Sequence, residues 1–371
     1  MRTHRFLIVS IVMALCAMFQ VNAMLAGEIL PPIGHRFASA DVSETPSFQK
    51  HVVPLLSRLG CNGRACHGSF QGRGGFRLSL FGYDFQADHV ALHDEESPRV
   101  NVNATDESLI LVKPTDAEMH EGGQRYKIGS WEHHVLKNWV AAGAKFDKDD
   151  IKKLKSLEIT PSEVLFQKAG ERQQLRVVAV WEDGVREDVT PLCRFKSNDD
   201  QIAKIDKNGL LIGNKRGDTD LIVSYDRAVV AVPVIRPTSD LVGDRYPAVD
   251  TPTRVDELVV TRLRKLGVVP SDRAGDAEFL RRVRLDLTGT LPSAEEVTRF
   301  LEDEAPNKRE KKVDELLETP AYAGWWTTKL CDFTGNNAQN LDNVSPMRNS
   351  APQEWYSWIN RRVEENMPYD E

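Results

Sequence analysis

The residues best suited to chemistry in this 371-residue chain are two cysteines and a histidine in one short run, CNGRACH at 61–67. Two thiols a few residues apart can each form a thioether to a vinyl group of one haem. A histidine directly after the second cysteine then reaches the iron as an axial ligand, and the usual spacing leaves two residues between the cysteines. Four residues separate Cys61 from Cys66 here, so the extra residues must loop out, which Gly63 eases. The same residues admit a local Cys61–Cys66 disulfide, or a metal site such as zinc completed by distant histidines. All nine histidines (4, 35, 51, 67, 89, 93, 120, 133 and 134) lie in the first 134 residues, so imidazole chemistry belongs to that part of the chain. Of these, His89, His93, His133 and His134 read as solvated surface residues.

The elements that must position this motif are legible around it. Phe48, Val52, Leu55, Leu56 and Leu59 recur at helical spacing just before Cys61. Pro54 lies inside that run, so the helix starts near it or bends there. A glycine-rich stretch, GSFQGRGGFRLSLFGYD (68–84), follows the motif. Ser130 is an N-cap for a helix carrying Trp131, Val135, Trp139 and Ala142, which Gly143 ends. An apolar helix before the motif and an aromatic one after it form the frame of a small all-α haem domain over 45–146.

From 156 to 236 the period changes to two. Leu175, Val177, Ala179 and Trp181 alternate with polar residues, and Asp183-Gly184 and Asn208-Gly209 are hairpin turns. Short strands with closely spaced turns imply a small all-β sandwich. Residues 248–371 return to helical spacing, with stripes at Val255, Leu258, Val259 and Leu263 and at Phe279, Leu280, Val283, Leu285 and Leu287. Ser293 with Glu296 reads as a capping box. Asp286, Asp314 and Asp332 are candidate carboxylates, Asp286 as a buried arginine partner, and Arg281, Arg282 and Arg284 a candidate anion site. They form no catalytic constellation. Cys193 and Cys331 read as two buried thiols.

Composition bounds the alternatives. The chain has 48 Lys+Arg against 55 Asp+Glu, a net charge of −7, 41% hydrophobic and 28% charged residues. That is ordinary for a globular protein and disfavours disorder, collagen and a multi-span membrane protein. The mild acidity argues against nucleic acid as the main partner, and five cysteines are too few for a disulfide scaffold. Residues 1–23 read as a signal peptide: Arg2 and Arg5, the apolar run FLIVSIVMALCAMF (6–19, containing Cys16), then a Val21-Asn22-Ala23 cleavage site. The mature chain is expected in the periplasm or cell envelope, with no transmembrane span after cleavage.

Three resemblances extend this reading. HVVPLLSRLGCNGRACHGSFQGRGGFRLSLFGYD (51–84), SLILVKPT (108–115), MHEGGQRY (119–126) and HHVLKNWVAAGA (133–144) resemble the planctomycete cytochrome C domain. This implies one covalent haem c held by Cys61 and Cys66, with His67 as proximal iron ligand. The matching stretch of relatives places the distal ligand at His120, where Met119 and Glu121 depart from the pattern; Met119 is the alternative ligand. Residues 159–190 and 197–225 resemble the bacterial Ig-like group 2 domain. VDELVVTRLRKLGVVPS (255–271), FLRRVRLDLTGTLPSAEEVTRFL (279–301), KKVDELLETPAYAGWWTTKLCDFT (311–334) and WINRRVEENMPYDE (358–371) resemble the domain of unknown function that follows this cytochrome. In that family more sequence follows MPYD, so the chain reads as truncated.

Together these readings imply a multidomain, exported, single-haem protein serving electron transfer or redox sensing. Its partners would be redox proteins or a downstream enzyme domain. The alternatives are a non-redox envelope protein binding glycans or proteins, with a Cys61–Cys66 disulfide, or a fragment of an enzyme whose active part lay downstream.

Overall fold

A computed structural model describes residues 28–147, 152–337 and 350–370. The segment read as a signal peptide, with Cys16, lies outside the described residues. The chain divides after Val269 into two compact units.

The first unit opens with β1 (Ile29–Leu30) and α1 (Ile33–Arg36). A π-turn at Phe48–Val52 then runs into α2 (Val53–Arg58). Pro54 has no N–H to donate, and it falls at the start of α2, where none is needed. The conflict between helical spacing and Pro54 is thus resolved by a wider turn before the proline. Three further helices follow, α3 (Phe85–Leu92), α4 (Leu109–Val112) and α5 (Trp131–Ala141). Ser130 caps α5 by accepting from the His133 N–H, and Gly143 leaves the helix at φ +95°. Phe48 stacks on Trp139 at 5.3 Å, closing the start of the helical layer on its last helix.

Ten strands make up the β region: β2 (Leu154–Thr160), β3 (Val164–Leu165), β4 (Arg172–Gln174), β5 (Arg176–Trp181), β6 (Arg186–Asp188), β7 (Arg194–Ser197), β8 (Ala203–Ile205), β9 (Leu210–Gly213), β10 (Gly217–Tyr225) and β11 (Ala228–Arg236). They form three sheets, β1-β6-β5-β2, β3-β11-β10-β7 and β4-β9-β8. Leu175, Val177, Ala179 and Trp181 are fully buried, as their alternation requires. Trp181 meets Tyr225 edge-on at 6.3 Å, joining the first sheet to the second. Gly184 and Gly209 take the positive φ of their turns.

The helical layer is not the self-contained all-α domain expected over 45–146. One buried core runs from Ile33 through Trp139 to Val234. β1 pairs in parallel with β6, so residues before position 45 belong to the sheet. Tyr225 donates its hydroxyl to the Lys50 carbonyl at 2.8 Å. Between the layers, Glu187 of β6 pairs with Arg36 and accepts from His51 Nε2 at 3.0 Å. His51 Nδ1 accepts the Ser47 N–H at 2.9 Å, so the imidazole is neutral with its proton on Nε2.

Helix α6 (Arg254–Leu266) falls within this first compact unit. Arg262 pairs with Asp218 at 2.7 Å and Lys265 with Glu163 at 2.6 Å. Val255, Leu258 and Val259, three of the four residues of an apparent core stripe, are instead exposed.

The second unit contains α7 (Asp276–Thr288), α8 (Ala294–Glu302), α9 (Lys308–Leu317), α10 (Pro320–Phe333) and α11 (Ser350–Glu364). Ser293 accepts the Glu296 N–H, but the Glu296 carboxylate turns to Arg284 and Lys312 rather than closing the capping box. Among the described residues, no helix is long and apolar enough to cross a membrane.

Candidate functional site

Helix α2 delivers the motif. Past Arg58 the chain makes a Schellman ending: Cys61 N–H donates to Leu56 O at 2.9 Å and Gly60 N–H to Ser57 O at 3.1 Å, with Gly60 at φ +79°. Cys61 therefore leaves a rigid helix end. The residues between the cysteines do loop out, and the loop closes when His67 N–H donates back to Cys61 O at 2.9 Å. Asn62 is fully buried and anchors the loop by donating to Ser57 Oγ at 2.8 Å. Gly68 is required by close approach: a Cβ there would lie 2.0 Å from the Asn62 carbonyl oxygen.

The glycine-rich stretch has a definite task. Arg73 and Phe76 form a one-bridge turn through Gly74 and Gly75, both at positive φ. The turn presents the Phe76 carbonyl to His67 Nδ1 at 3.1 Å. His120, from the loop after α4, holds its own Nδ1 3.1 Å or less from a carbonyl in the same way, at 2.9 Å from Gly123 O. A carbonyl only accepts, so each Nδ1 carries a proton, and His67 has a second backbone hydrogen-bond partner in Arg73. The two rings are 6.4 Å apart, centroid to centroid, and within 22° of parallel. Gly122 makes room for this pose, since a Cβ there would sit 2.7 Å from His120 Cε1.

Cys61, Cys66, His67, Met119 and His120 all line one cavity of about 500 Å³. That lies within the roughly 300–1,000 Å³ range of cofactor sites. Its walls are apolar, from Leu56, Leu78, Leu92 and Ile110. Arg73, Arg99, Lys113 and Arg125 also face it, against one carboxylate, Glu121. None of these four cations takes part in a carboxylate ion pair among the described residues. Burial pushes the Cys61 thiol up to about 12. Cys66 is more open and accepts a hydrogen bond from Arg125 Nη2 at 3.5 Å. Burial also lowers His67, with the Phe76 hydrogen bond partly opposing it and His120 adding to it, which favours the neutral imidazole.

Both cysteines are free thiols. Among the described residues, no group of three or more His, Cys, Asp or Glu side chains is placed to hold a metal ion. The residues present suit haem. Two thiols and two imidazoles share one apolar cavity, with Arg99 and Arg125 at its wall. Met119 lines the same cavity but is 56% exposed.

Of the four histidines read as solvated, His89, His93 and His133 are half-buried and His134 is buried. His134 is buried and donates to the Phe37 carbonyl, while His89 and His93 contact each other and Trp139. Asp286 is exposed, as are Asp314 and Asp332, so no buried arginine partner exists there. Arg282 pairs with Glu278 and Arg284 with Glu296, a salt-bridged face rather than an anion site. Cys193 and Cys331 are free and buried. The His51–Glu187–Arg36 cluster leaves no local signal in sequence order, because its members are separated by up to 151 positions.

Residues 254–371 match a planctomycete-type family described as a protein of unknown function (PSCyt2, DUF1549). No curated protein matches the chain. Among solved structures, the chain is similar to the S-layer protein SbsC, domains 5-6, at 17% identity and a TM-score of 0.20. The match covers 27% of this chain and 57% of that one. The chain thus spans under two thirds of that structure, and a likeness this weak carries no structural conclusion. These findings bear out the third resemblance, to the domain of unknown function, and correct the other two. The match covers the C-terminal domain alone, with no cytochrome C family at 50–146 and no group 2 Ig-like family beside it. The identification of the chain as a planctomycete cytochrome C domain protein with that Ig-like module does not stand.

Proposed function

We propose that the cavity of the first unit holds one covalent haem c, and that the protein carries electrons or senses redox state through it. The reading rests on chemistry at the site and not on family membership. The observation that carries it is the neighbouring pair His67 and His120, each with Nδ1 engaged by a backbone carbonyl, beside two free cysteines in one apolar cavity.

In this reading Cys61 and Cys66 anchor the group from a loop fixed at both ends. His67 and His120 ligate the iron, and the carbonyls of Phe76 and Gly123 fix their tautomers and orientation. His120 is preferred to Met119, whose side chain is mostly in solvent. Arg99 and Arg125, both half-buried at the cavity, suit the carboxylates of the cofactor. The apolar walls exclude water. Bound haem supplies one-electron oxidation and reduction at a potential set by its ligands and surroundings. Attachment of this kind takes place outside the cytoplasm, so the reading includes export to the periplasm or envelope. The partners would be redox proteins or an enzyme domain.

The test is expression with haem-attachment machinery, followed by the absorption spectrum of the pyridine complex. A covalent c-type spectrum is expected. Cys66→Ala should retain one thioether in the pyridine spectrum, and His67→Ala should change the absorption spectrum of the native protein recorded without pyridine. His120→Ala should alter that spectrum more than Met119→Ala. Folded protein without covalent haem would overturn the reading and favour a non-redox envelope protein.

A further inference from the structure

The cavity mouth differs in charge from the rest of the chain. Net charge is −7 overall, yet residues 61–83 contain Arg64, Arg73 and Arg77 and no acidic residue. Arg64, Arg73 and Arg77 are all exposed. Lys113, on the far side of the cavity, is exposed too, and both Arg73 and Lys113 line the opening. Apolar side chains stand among these cations. Phe70 is 86% exposed beneath Arg77, whose guanidinium lies 5.6 Å from the ring centroid, and Met119 is 56% exposed at the opening.

We infer that this rim is the docking surface for a partner protein presenting a carboxylate-rich face with an apolar spot, brought to the mouth of the cavity. The physical case is complementarity. Like-signed charges grouped at one opening attract an opposite surface and raise its rate of encounter, while an otherwise acidic exterior repels it from other faces. Phe70 and Met119 supply the apolar contact that steering alone lacks. Among the described residues no carboxylate forms an ion pair with these cations, and Glu121 is the one carboxylate that lines the cavity against Arg73, Arg99, Lys113 and Arg125. That the partner exchanges electrons rests on the haem reading above; the docking surface itself does not.

The probe is a fluorescein-labelled polyglutamate peptide, with binding to the full chain followed by anisotropy across ionic strength. Binding is expected at low salt and should weaken steeply as salt rises. Arg64→Glu with Arg77→Glu, neither of which lines the cavity, should lower affinity by about tenfold or more. Arg281→Glu with Arg282→Glu, on an exposed helical face of the second unit, should leave it unchanged. No binding by the wild type, or equal loss in both pairs, would overturn the inference. Tighter binding of oligothymidylate than of polyglutamate would overturn it in favour of a nucleic acid. The pyridine spectrum of the same proteins reports the haem reading separately: binding with no covalent haem leaves the acidic partner and removes its redox role.

Discussion

Asp88, on α3, has no cation beside it. Its carboxylate is buried and accepts from the Ser79 N–H and hydroxyl. Burial outweighs those two donors and pushes its pKa from 3.8 up to about 6. The folded state therefore holds the proton more tightly than the unfolded chain. The stabilisation is fully present below the unfolded value and is lost as pH rises through the folded one. At 1.4 kcal/mol per unit this is roughly 3 kcal/mol. Urea midpoints should show Asp88→Asn gaining on the wild type between pH 4 and pH 7.5; parallel curves would refute the assignment. Gly68 gives a second test at this scale. A Cβ at 2.0 Å from the Asn62 oxygen cannot be absorbed by a side-chain rotation, because the obstacle is backbone. Gly68→Ala should open the 61–68 loop, lower the melting temperature and make buried Cys61 alkylate faster.

At the scale of elements, the joint between the helical layer and the first sheet depends on a single carboxylate. Burial alone would raise Glu187, but the His51 hydrogen bond and the Arg36 charge outweigh it and hold it low. Arg36→Met would leave an ionised group buried with one neutral donor, at a cost of about 3–5 kcal/mol in unfolding free energy. Glu187→Gln, which keeps an acceptor for His51, should cost less than Arg36→Met. Gly289 ends α7 at φ +68°, and a Cβ there would meet the Trp325 ring at 2.5 Å. Gly289→Ala should thus destabilise the second unit by more than the roughly 1 kcal/mol of a strained cap alone.

For the whole molecule, the continuous core of the first unit has a cooperative consequence. Trp181 is fully buried and touches Tyr225 on one side and the Lys50 ammonium, 4.3 Å from its ring, on the other. Trp181→Ala should remove about 3–5 kcal/mol from the first unit. Native-state hydrogen exchange should then show loss of protection in α2 and α5 as well as in β5, with the second unit unchanged. Protection lost only in the β region would mean that the helical layer is an independent domain after all.

Local chemistry was readable without a structure. The helix ahead of Cys61, the Ser130 cap, the period-two strands with their Asp-Gly and Asn-Gly turns, and the Cys-Cys-His run depend on neighbours a few positions away, and sequence order carries such neighbours directly. Resemblance of whole segments went further than the family comparison supports. Tertiary structure alone decided the rest. His67 meets His120 across 53 positions only because a glycine-rich turn and a Gly122 opening bring two loops to one cavity. The helical layer and sandwich share a core because Ile33, Phe37 and β1 fold back onto the sheet. Charge at the mouth is positive in an acidic protein because folding gathers Lys113 beside the Arg73 turn. Burial, pairing and local field are properties of residues distant in sequence, and no periodicity encodes them.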